Sequence, residues 1–546
     1  MFLGIYKYLE SAAALWHADL DRIWMSLMQR QQQPNSFGDD YGEGGKLVLN
    51  DEEALLLAHD LFDICKGAFS DYLVDLDRHK TSISLFSGGT WESMCTVVEM
   101  ELSLMYDILY TKAAVVHTWP GYLIRLASPL LTATAFLPFG LHHKEGMETE
   151  DEVISYVLLG TTLLLDVRWL FRALASGWTH SYFKLMPHNW LKHVFWCRGK
   201  WRKLRRWVMS LHLYRLSSWP WTGHCAKAPK SYRRWTGIIG QHNLLDQCTA
   251  VSGGHSRSSG FPLEDYSRGL EIPEHVKELV FSNIHEMLFL DTTTDLEEED
   301  PMNQSSDYPP ELQEAIVIWH IATDIFFLSC CPRDTGAKPK QLEKAIKHIS
   351  NYMMFLVAKR PKMLPGLLIR SLHKTTLSKL EEIQVMAATK GCATNDEELA
   401  KWMTRQESGL LKDRETSDSI WEGTQLARVL LSLVHENRRD GVSIATPEEA
   451  KGTEERLAYW LPDSSHLTIG DTEGLLRFIL KAWVRVLMYA SIRCNRDSHA
   501  RQLSCGGELT TRRVTFHKQK WVKIQLLNWL KKTVTNCLRC SIALHM

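Results

Sequence analysis

The sequence lacks an excess of charge of either sign. Its 546 residues include 63 Lys and Arg against 64 Asp and Glu, so the net charge at pH 7 is -1. This balance gives no overall electrostatic reason to expect a nucleic acid or an acidic substrate as a partner. Residues 1–7 also lack the combination of a basic flank and an apolar core, so we do not expect them to form a secretory signal peptide. We therefore expect any membrane targeting to come from an internal segment.

Signatures of catalysis are equally scarce. The sequence contains no phosphate-binding loop, no dinucleotide-binding glycine pattern and no G-x-S-x-G elbow. His285-Glu286 begins like the zinc-binding helix of a metalloprotease, but the second histidine that this chemistry needs is absent. Most of the 12 cysteines stand alone, which is typical of reduced thiols rather than of a disulfide framework. We therefore assign no catalytic residue and no cofactor.

Two apolar stretches lie close together in the first half of the chain. Residues 126–141 carry no charge, and residues 153–165 are apolar up to Asp166. A bilayer core needs about 20 mostly apolar residues, so the first stretch needs residues 122–125 and the second continues to residue 174. We predict a transmembrane hairpin over residues 121–176. The alternative is a soluble helical protein in which this hairpin is a buried core.

The flank after the second stretch is basic and rich in tryptophan. Residues 181–235 contain no Asp or Glu but many Lys, Arg and Trp, whereas the connector between the stretches, residues 142–152, is acidic. Basic residues beside a span mark the cytosolic side, and aromatic rings anchor at headgroups. We expect an integral membrane protein with its long flanks in the cytosol and the lipid bilayer as partner. A solvated basic face, or less favourably nucleic-acid binding through phosphate contacts and stacking, is the alternative.

Helical periodicity dominates the rest of the chain, and there is no strand-rich block. Residues 4–33 predict one amphipathic helix, a second helix starts at Asp51, and a polar gap covers residues 396–419. Further helices are predicted from Trp91 and over residues 274–290, 312–328, 346–357, 364–372, 420–434 and 475–493, with 312–328 as a core helix. The fold class that follows is all-α, a membrane-anchored helical protein with an apolar helical hairpin and a large cytosolic helical region.

These patterns divide the chain into six segments. The order is an N-terminal helical segment at 1–120, the hairpin at 121–176, a basic Trp-rich juxtamembrane segment at 177–235, a cytosolic helical region at 236–450, a C-terminal helical module at 455–511 and a basic tail at 512–546.

Three sets of residues could carry chemistry. His320 and Asp324 lie four apart on one face of a predicted helix, where they could orient a base or form a satisfied polar pair; we favour the pair. Cys494, His499 and Cys505 could supply three zinc ligands, although zinc sites usually need two tight ligand pairs. Asp166 and Arg168 are either intramembrane charges or residues at the cytosolic boundary, and we favour the boundary.

Several short strings resemble, in order, a plant family that joins a domain of unknown function 4220 to a C-terminal domain of unknown function 594. The strings are residues 101–114 (ELSLMYDILYTKAA), 319–324 (WHIATD), 350–354 (SNYMM), 360–365 (RPKMLP), 499–503 (HARQL) and 506–509 (GGEL). The first domain would cover roughly residues 1–400. The resemblance implies a plant membrane protein and carries over no functional residue. Members usually begin with further apolar spans and continue with an apolar stretch after Thr510, and this sequence does neither.

We expect an interaction or scaffolding role at a membrane, with protein partners unidentified. Polar linkers and amphipathic helices outnumber any catalytic constellation in the sequence. The remaining alternative is an enzyme of unrecognised class around His320 and Asp324, which would place both groups in a concave pocket.

Overall fold

The structure is a computed structural model of the chain. It describes residues 2–31, 51–70, 89–141, 149–184, 238–252, 270–289, 312–329, 337–366, 371–389, 396–405, 418–435 and 472–503. It also describes the isolated residues 72, 74, 79, 82, 203, 205, 207, 208 and 369. The chain divides into two compact units, one consisting mainly of Met1–Trp235 and the other mainly of Thr236–Gln502, here called the N-terminal and C-terminal units.

The described part of the chain is almost entirely α-helical, which confirms the predicted all-α class. The exception is one antiparallel pairing of two-residue strands, β1 (Ile238–Ile239) with β2 (Leu270–Glu271). A pairing this short adds no sheet layer, so helix-on-helix packing makes both cores.

Eight helices make up the described N-terminal unit. They are α1 (Phe2–His17), α2 (Leu20–Gln31), α3 (Asp51–Ser70), α4 (Trp91–Tyr110), α5 (Ala113–Val116), α6 (Trp119–Leu141), α7 (Thr149–Leu174) and α8 (Gly177–Lys184). The core lies between α3 and α4, with α2 and α8 packed on α3. Helix α4 starts at the predicted residue because Thr90 caps it, accepting a hydrogen bond from the Ser93 backbone N–H.

The expected long helix over residues 4–33 is in fact two helices. The chain turns at Ala18 and Asp19, and α2 restarts with the Arg22 and Ile23 backbone N–H groups bonded to the Asp19 carbonyl. The Asp19 carboxylate accepts from the Asp21 N–H, as a helix-starting residue does. The prediction missed this break because the apolar periodicity continues across it.

The C-terminal unit is built around a buried central helix. Its helices are α9 (Leu244–Ser252), α10 (Glu274–Phe289), α11 (Leu312–Ser329), α12 (Ala337–Lys359), α13 (Leu372–Thr389), α14 (Asp396–Arg405), α15 (Asp418–His435), α16 (Thr472–Arg493) and α17 (Arg496–Leu503), with a 3-10 turn at Pro361–Met363. Helix α11 packs against α12, α14 and α15, and α16 packs against α12. The predicted core helix at 312–328 is therefore confirmed.

Two local predictions in this unit were wrong. Helix α14 lies inside the expected polar gap at 396–419, since Leu399, Ala400, Trp402 and Met403 give the ten-residue helix one buried apolar face. The predicted helix over 364–372 does not form in its described residues before Leu372, where α13 begins. Leu364 is extended and Gly366 has φ of 92°, a left-handed conformation that ends helical geometry.

Candidate functional site: an apolar helical hairpin

Helices α6 and α7 pack side by side in opposite directions, and together they are called the apolar hairpin below. The contacts run antiparallel: Ser128 of α6 meets Asp166 of α7, and further on Phe136 meets Tyr156, with ring centroids 5.9 Å apart. Pro120 lies in the first turn of α6, where its missing N–H costs nothing. Pro120 therefore marks the start of the helix rather than a break within it.

The apolar hairpin exposes large apolar side chains along its whole described length. They are Trp119, Leu123, Leu126, Leu130, Leu131 and Leu137 on α6, and Val153, Ile154, Val157, Leu158, Leu164, Leu165, Trp169 and Phe171 on α7. In the described part of the C-terminal unit the exposed large apolar side chains are Leu270, Val385 and Met386. More than half of the exposed large apolar side chains among the described residues therefore belong to the apolar hairpin, as expected for a site that meets a lipid or protein partner.

Two described helices are long and apolar enough to cross a membrane, and burial separates them. The first is Glu150–Leu174 of α7, whose most apolar stretch has 0% of its residues buried. The second is Leu312–Ser329, which is 72% buried and is the core helix α11. Length and composition do not distinguish α7 from α11, whereas the exposure of α7 does.

A polar cluster ties the two hairpin helices together. The Asp166 carboxylate accepts hydrogen bonds from Ser128 Oγ at 2.8 Å and Thr132 Oγ1 at 3.0 Å. Asp166 therefore faces the partner helix, away from the exposed apolar side chains. Its neighbour Arg168 is half-buried, and Arg172 lies over the Trp169 ring at 5.7 Å. The carboxylate and its two donors act as an interhelical link.

A second polar cluster closes the base of the hairpin. The Tyr122 hydroxyl donates its hydrogen to Thr179 Oγ1 at 2.8 Å, and Thr179 donates to the Ala173 carbonyl. Because the Tyr122 hydrogen is used in this way, His117 Nδ1–H donates to the Tyr122 oxygen, 2.8 Å away. This pattern needs a proton on His117 Nδ1, which both the neutral Nδ1–H tautomer and the charged ring carry. Burial, and secondarily the Arg125 charge, lower the pKa of His117 to about 3, which keeps it neutral.

Trp178 connects this base to the core of the N-terminal unit. Its ring packs edge-on against His59 and Phe62 of α3, at centroid distances of 5.1 and 5.5 Å. Its indole N–H donates to the Asp107 carboxylate of α4 at 3.3 Å. The hairpin is thereby fixed to α3 and α4 at one end, while its long apolar surface stays uncovered within the described unit.

His320 and Asp324 lie on one helix face, as the spacing predicted. His320 has no exposed surface. Its Nε2 accepts the Leu244 backbone N–H at 3.2 Å, so its Nδ1–H donates to Ser350 Oγ at 2.9 Å. Burial lowers the pKa of His320 to about 3. The ring is neutral and both nitrogens are used to join α9, α11 and α12.

The contact between His320 and Asp324 is close but is not an ion pair. Asp324 Oδ2 lies 3.5 Å from Nε2, the nitrogen that already accepts a hydrogen bond. Burial raises the pKa of Asp324 to about 7, against smaller opposing effects that include a hydrogen bond with Asn243. A shallow apolar depression lined by Ile239, Val276, Val280 and Phe281 is present in this unit, and neither His320 nor Asp324 lines it.

The proposed zinc ligands are only partly within the described residues. Cys494 and His499 are buried, and Cys505 lies outside the described part. His499 Nε2 is 3.2 Å from the Ser491 carbonyl, and burial raises the pKa of the Cys494 thiol to about 12. A thiol held protonated is a poor metal ligand. In the described ranges, no group of three or more His, Cys, Asp or Glu side chains is placed to hold a metal ion.

Two polar contacts had no signal in the sequence. His242 and His373 face each other with Nε2 atoms 2.7 Å apart, although 131 residues separate them. Glu10 of α1 pairs with Arg125 of α6 across 115 residues. Neither pair has a local spacing pattern, so only the tertiary fold could bring them together.

Comparison with known families gives two matches. The family described as "Domain of unknown function (DUF4220)" matches residues 1–248, and the family described as "Protein of unknown function, DUF594" matches residues 468–512. The chain therefore has the arrangement of the family predicted from its sequence, with DUF4220 at the N-terminal side and DUF594 at the C-terminal side. The plant origin stays a prediction. No curated protein and no solved structure matches the chain.

The family boundaries differ from the boundaries of the compact units. The DUF4220 match includes the apolar hairpin and ends inside α9, which belongs to the C-terminal unit. The DUF594 match includes α16, whose Trp483 indole donates to Thr323 Oγ1 of α11 at 3.1 Å. Parts of both families thus contribute to the core of the C-terminal unit.

Proposed function

We propose that the apolar hairpin anchors this chain in a lipid bilayer, and that the C-terminal helical unit serves as an interaction or scaffolding module held at that membrane. The observation that carries the proposal is the uncovered apolar surface of α6 and α7. Burying one large aliphatic side chain is worth roughly 1.5–3 kcal/mol, so leaving this whole surface in water is strongly unfavourable. A bilayer removes it from water without any further protein contact.

The polar side chains of the hairpin also suit a lipid environment. Two hydroxyls on its outer surface bond back to their own helix: Thr134 Oγ1 donates to the Leu131 carbonyl at 2.8 Å, and Thr162 Oγ1 donates to the Leu158 carbonyl at 2.7 Å. Asp166 faces inward to Ser128 and Thr132. Hydrocarbon offers no hydrogen bonds, so spanning segments must satisfy polar groups internally.

The dimensions of the two helices fit a bilayer. At about 1.5 Å per residue, the 23 residues of α6 are about 35 Å long and the 26 residues of α7 about 39 Å long. The hydrocarbon core is about 30 Å thick, so both helices are long enough to cross it with residues left for the interfaces.

Charge sets the proposed orientation. Glu150, Asp151 and Glu152 form the first turn of α7 at the hairpin tip, whereas Arg125 and Arg172 lie towards the base. The base is followed by the acid-free, basic stretch at 181–235. Positive residues stay on the cytosolic side, so the tip crosses the membrane and both long flanks remain cytosolic.

A glycosylation assay tests the anchor and its orientation together. A flexible insert carrying an Asn-Gly-Thr acceptor is placed between Gly146 and Met147 at the tip, and the matched control carries it between Gly253 and Gly254. Both full-length chains are translated with microsomes. We expect an endoglycosidase-sensitive mass increase for the tip insert only. An unmodified tip contradicts the span, and modification at Gly253 contradicts the orientation.

The proposed interaction or scaffolding role is tested separately, by sedimentation. After the membrane-bound chain is solubilised in mild detergent, we expect it to sediment as a complex larger than the detergent-bound monomer. Sedimentation as the monomer alone contradicts an interaction or scaffolding role.

A further inference from the structure

Helix α1 has the charged residue Glu10 inside and several large apolar residues outside. Tyr8 is 83% exposed, Leu15 is 76% exposed and Glu10 is only 6% exposed. The outer face of α1 is defined here as Tyr8, Leu9, Ala12, Leu15 and Trp16, all of which are exposed. A helix on the surface of a water-soluble unit normally has the opposite pattern. The outer face of α1 therefore suits a medium other than water.

The inverted pattern has a cause in the fold. The Glu10 carboxylate receives a hydrogen bond from Arg125 Nη2 at 3.0 Å, and Lys112 Nζ lies 3.8 Å away. Arg125 is on α6 of the apolar hairpin, and Lys112 directly precedes α5, the short helix before it. Turning Glu10 inward to these cations turns the apolar residues of α1 outward.

The same contact places α1 at the level where a membrane hairpin enters the bilayer. Arg125 is in the second turn of α6, beside the basic end of the hairpin. Residues at this level meet the boundary between headgroups and acyl chains, where Trp and Tyr are enriched. Tyr8 and Trp16 on the outer face of α1 are of this type, and the Arg22 guanidinium lies over the Trp16 ring at 3.4 Å.

The apolar surface continues onto the next helix. Trp24, Met25 and Met28 of α2 are exposed, while Ile23 and Leu27 of the same helix are buried against the core. Helix α2 thus has apolar residues on two sides, one packed on α3 and one uncovered within the described unit.

We propose that the outer face of α1 lies in the interfacial region of the same bilayer that holds the apolar hairpin. The inference rests on the proposed membrane anchor and adds a second, peripheral lipid contact to it. Lipid is the occupant that the observations favour, because the ion pair between Glu10 and Arg125 holds α1 against the base of the hairpin. Exposed aliphatic and aromatic side chains on one face are also typical of the apolar face of helices that lie on membranes.

Photocrosslinking of the full-length chain tests this contact directly. Benzoyl-phenylalanine is installed one position at a time in place of Leu15 on α1, Leu158 on α7 or Val385 on α13, all three of which are exposed. Each chain is reconstituted into vesicles of phosphatidylcholine and phosphatidylserine that contain a radiolabelled lipid, and lipid and protein adducts are resolved after irradiation.

We expect lipid adducts at Leu15 comparable with those at Leu158, and only background at Val385. Lipid adducts at Leu158 with none at Leu15 overturn this inference and leave the hairpin anchor standing. Loss of lipid adducts at both positions overturns the anchor as well. Protein adducts at Leu15, to a second copy or another chain, show that a protein covers this face and also overturn the inference.

Discussion

The Asp166 carboxylate of α7 lies 2.8 Å from the Ser128 hydroxyl of α6, and this hydrogen bond joins two helices whose other faces are apolar. Thr132 donates to the same carboxylate oxygen at 3.0 Å. Thr132 Oγ1 also lies 3.0 Å from the Ser128 carbonyl of its own helix, so its hydroxyl hydrogen can serve either acceptor. The first prediction tests how much this link holds the hairpin together.

Replacing Asp166→Ala is expected to destabilise the hairpin by about 1 kcal/mol, because interhelical hydrogen bonds in membranes contribute about 0.6 kcal/mol on average and up to about 1.7. Asp166→Asn keeps an oxygen acceptor and is expected to recover most of the loss. The measurement is unfolding of the full chain in detergent micelles. Thr162→Ala is the matched control, since Thr162 bonds only within its own helix in the contacts described. Equal stability of Asp166→Ala and the parent chain would contradict the role given to this carboxylate.

Tyr122 is expected to contribute more to the stability of the fold than an exposed tyrosine does. Tyr122→Phe removes the oxygen that accepts from His117 and the hydroxyl that donates to Thr179. Leaving buried polar groups without these bonds costs about 1–3 kcal/mol. Thermal unfolding in detergent should show this loss, whereas Tyr8→Phe, at an 83% exposed residue, should change stability by only a few tenths. The same small effect from both substitutions would show that the base cluster does not fix the hairpin.

His320 is expected to be a structural residue. His320→Ala removes the acceptor for the Leu244 N–H and the donor to Ser350, and it leaves a cavity in the core. We expect the free energy of unfolding to fall by about 3 kcal/mol, which combines the cost of an unpaired polar group with the cost of a cavity. The half-buried His348, which bonds the Lys344 carbonyl of its own helix, is the control, and His348→Ala should cost under about 0.5 kcal/mol. A fully stable His320→Ala chain would contradict the structural role.

The stability of the C-terminal unit should depend on pH through Asp324. Its pKa is raised from 3.8 to about 7, so the folded state holds a proton that the unfolded state loses between these pH values. The contribution of this group to stability is therefore full below pH 3.8 and is lost as pH rises through 7. Buried His320, whose pKa is lowered to about 3, acts with the opposite sign between pH 3 and 6.5.

Asp324→Asn separates these two effects, since it removes only the titrating carboxyl. Relative to the parent chain, the variant should gain stability on going from pH 5 to pH 8 by on the order of 2 kcal/mol, because one pKa unit corresponds to about 1.4 kcal/mol. The exposed Glu274→Gln is the control and should show the same difference from the parent at both pH values. A variant of Asp324 with no change between the two pH values would show that this carboxyl is ionised in the fold.

Much of the helical architecture was predictable from local patterns. The uniformly apolar run around Trp319 predicted a core helix, and Trp319 is 3% exposed in α11. The apolar stretches on either side of an acidic connector predicted the pairing of α6 with α7. In both cases the information lies within about 20 consecutive residues, where composition and periodicity decide burial.

The orientation of helix faces was not predictable where distant charges decide it. The periodicity of residues 4–33 fits an amphipathic helix, but it gives no reason to expect Leu15 outside and Glu10 inside. That outcome depends on Arg125, 115 residues later. The link between His320 and the Leu244 N–H likewise joins residues 76 apart, so the spacing of His320 and Asp324 could not show that both ring nitrogens are used for packing.

Carbonate extraction is the most direct test that the apolar hairpin is a membrane anchor. The intact tagged chain is expressed, its membranes are washed with sodium carbonate at high pH, and the pellet is then treated with detergent. We predict that the chain stays in the pellet and moves to the supernatant only with detergent. A matched variant with Leu130→Arg and Leu158→Arg should wash out, since a central Arg opposes insertion by about 2.5–3.5 kcal/mol. Release of the parent chain by carbonate alone would contradict the anchor and make residues 121–176 a soluble core or a peripheral contact.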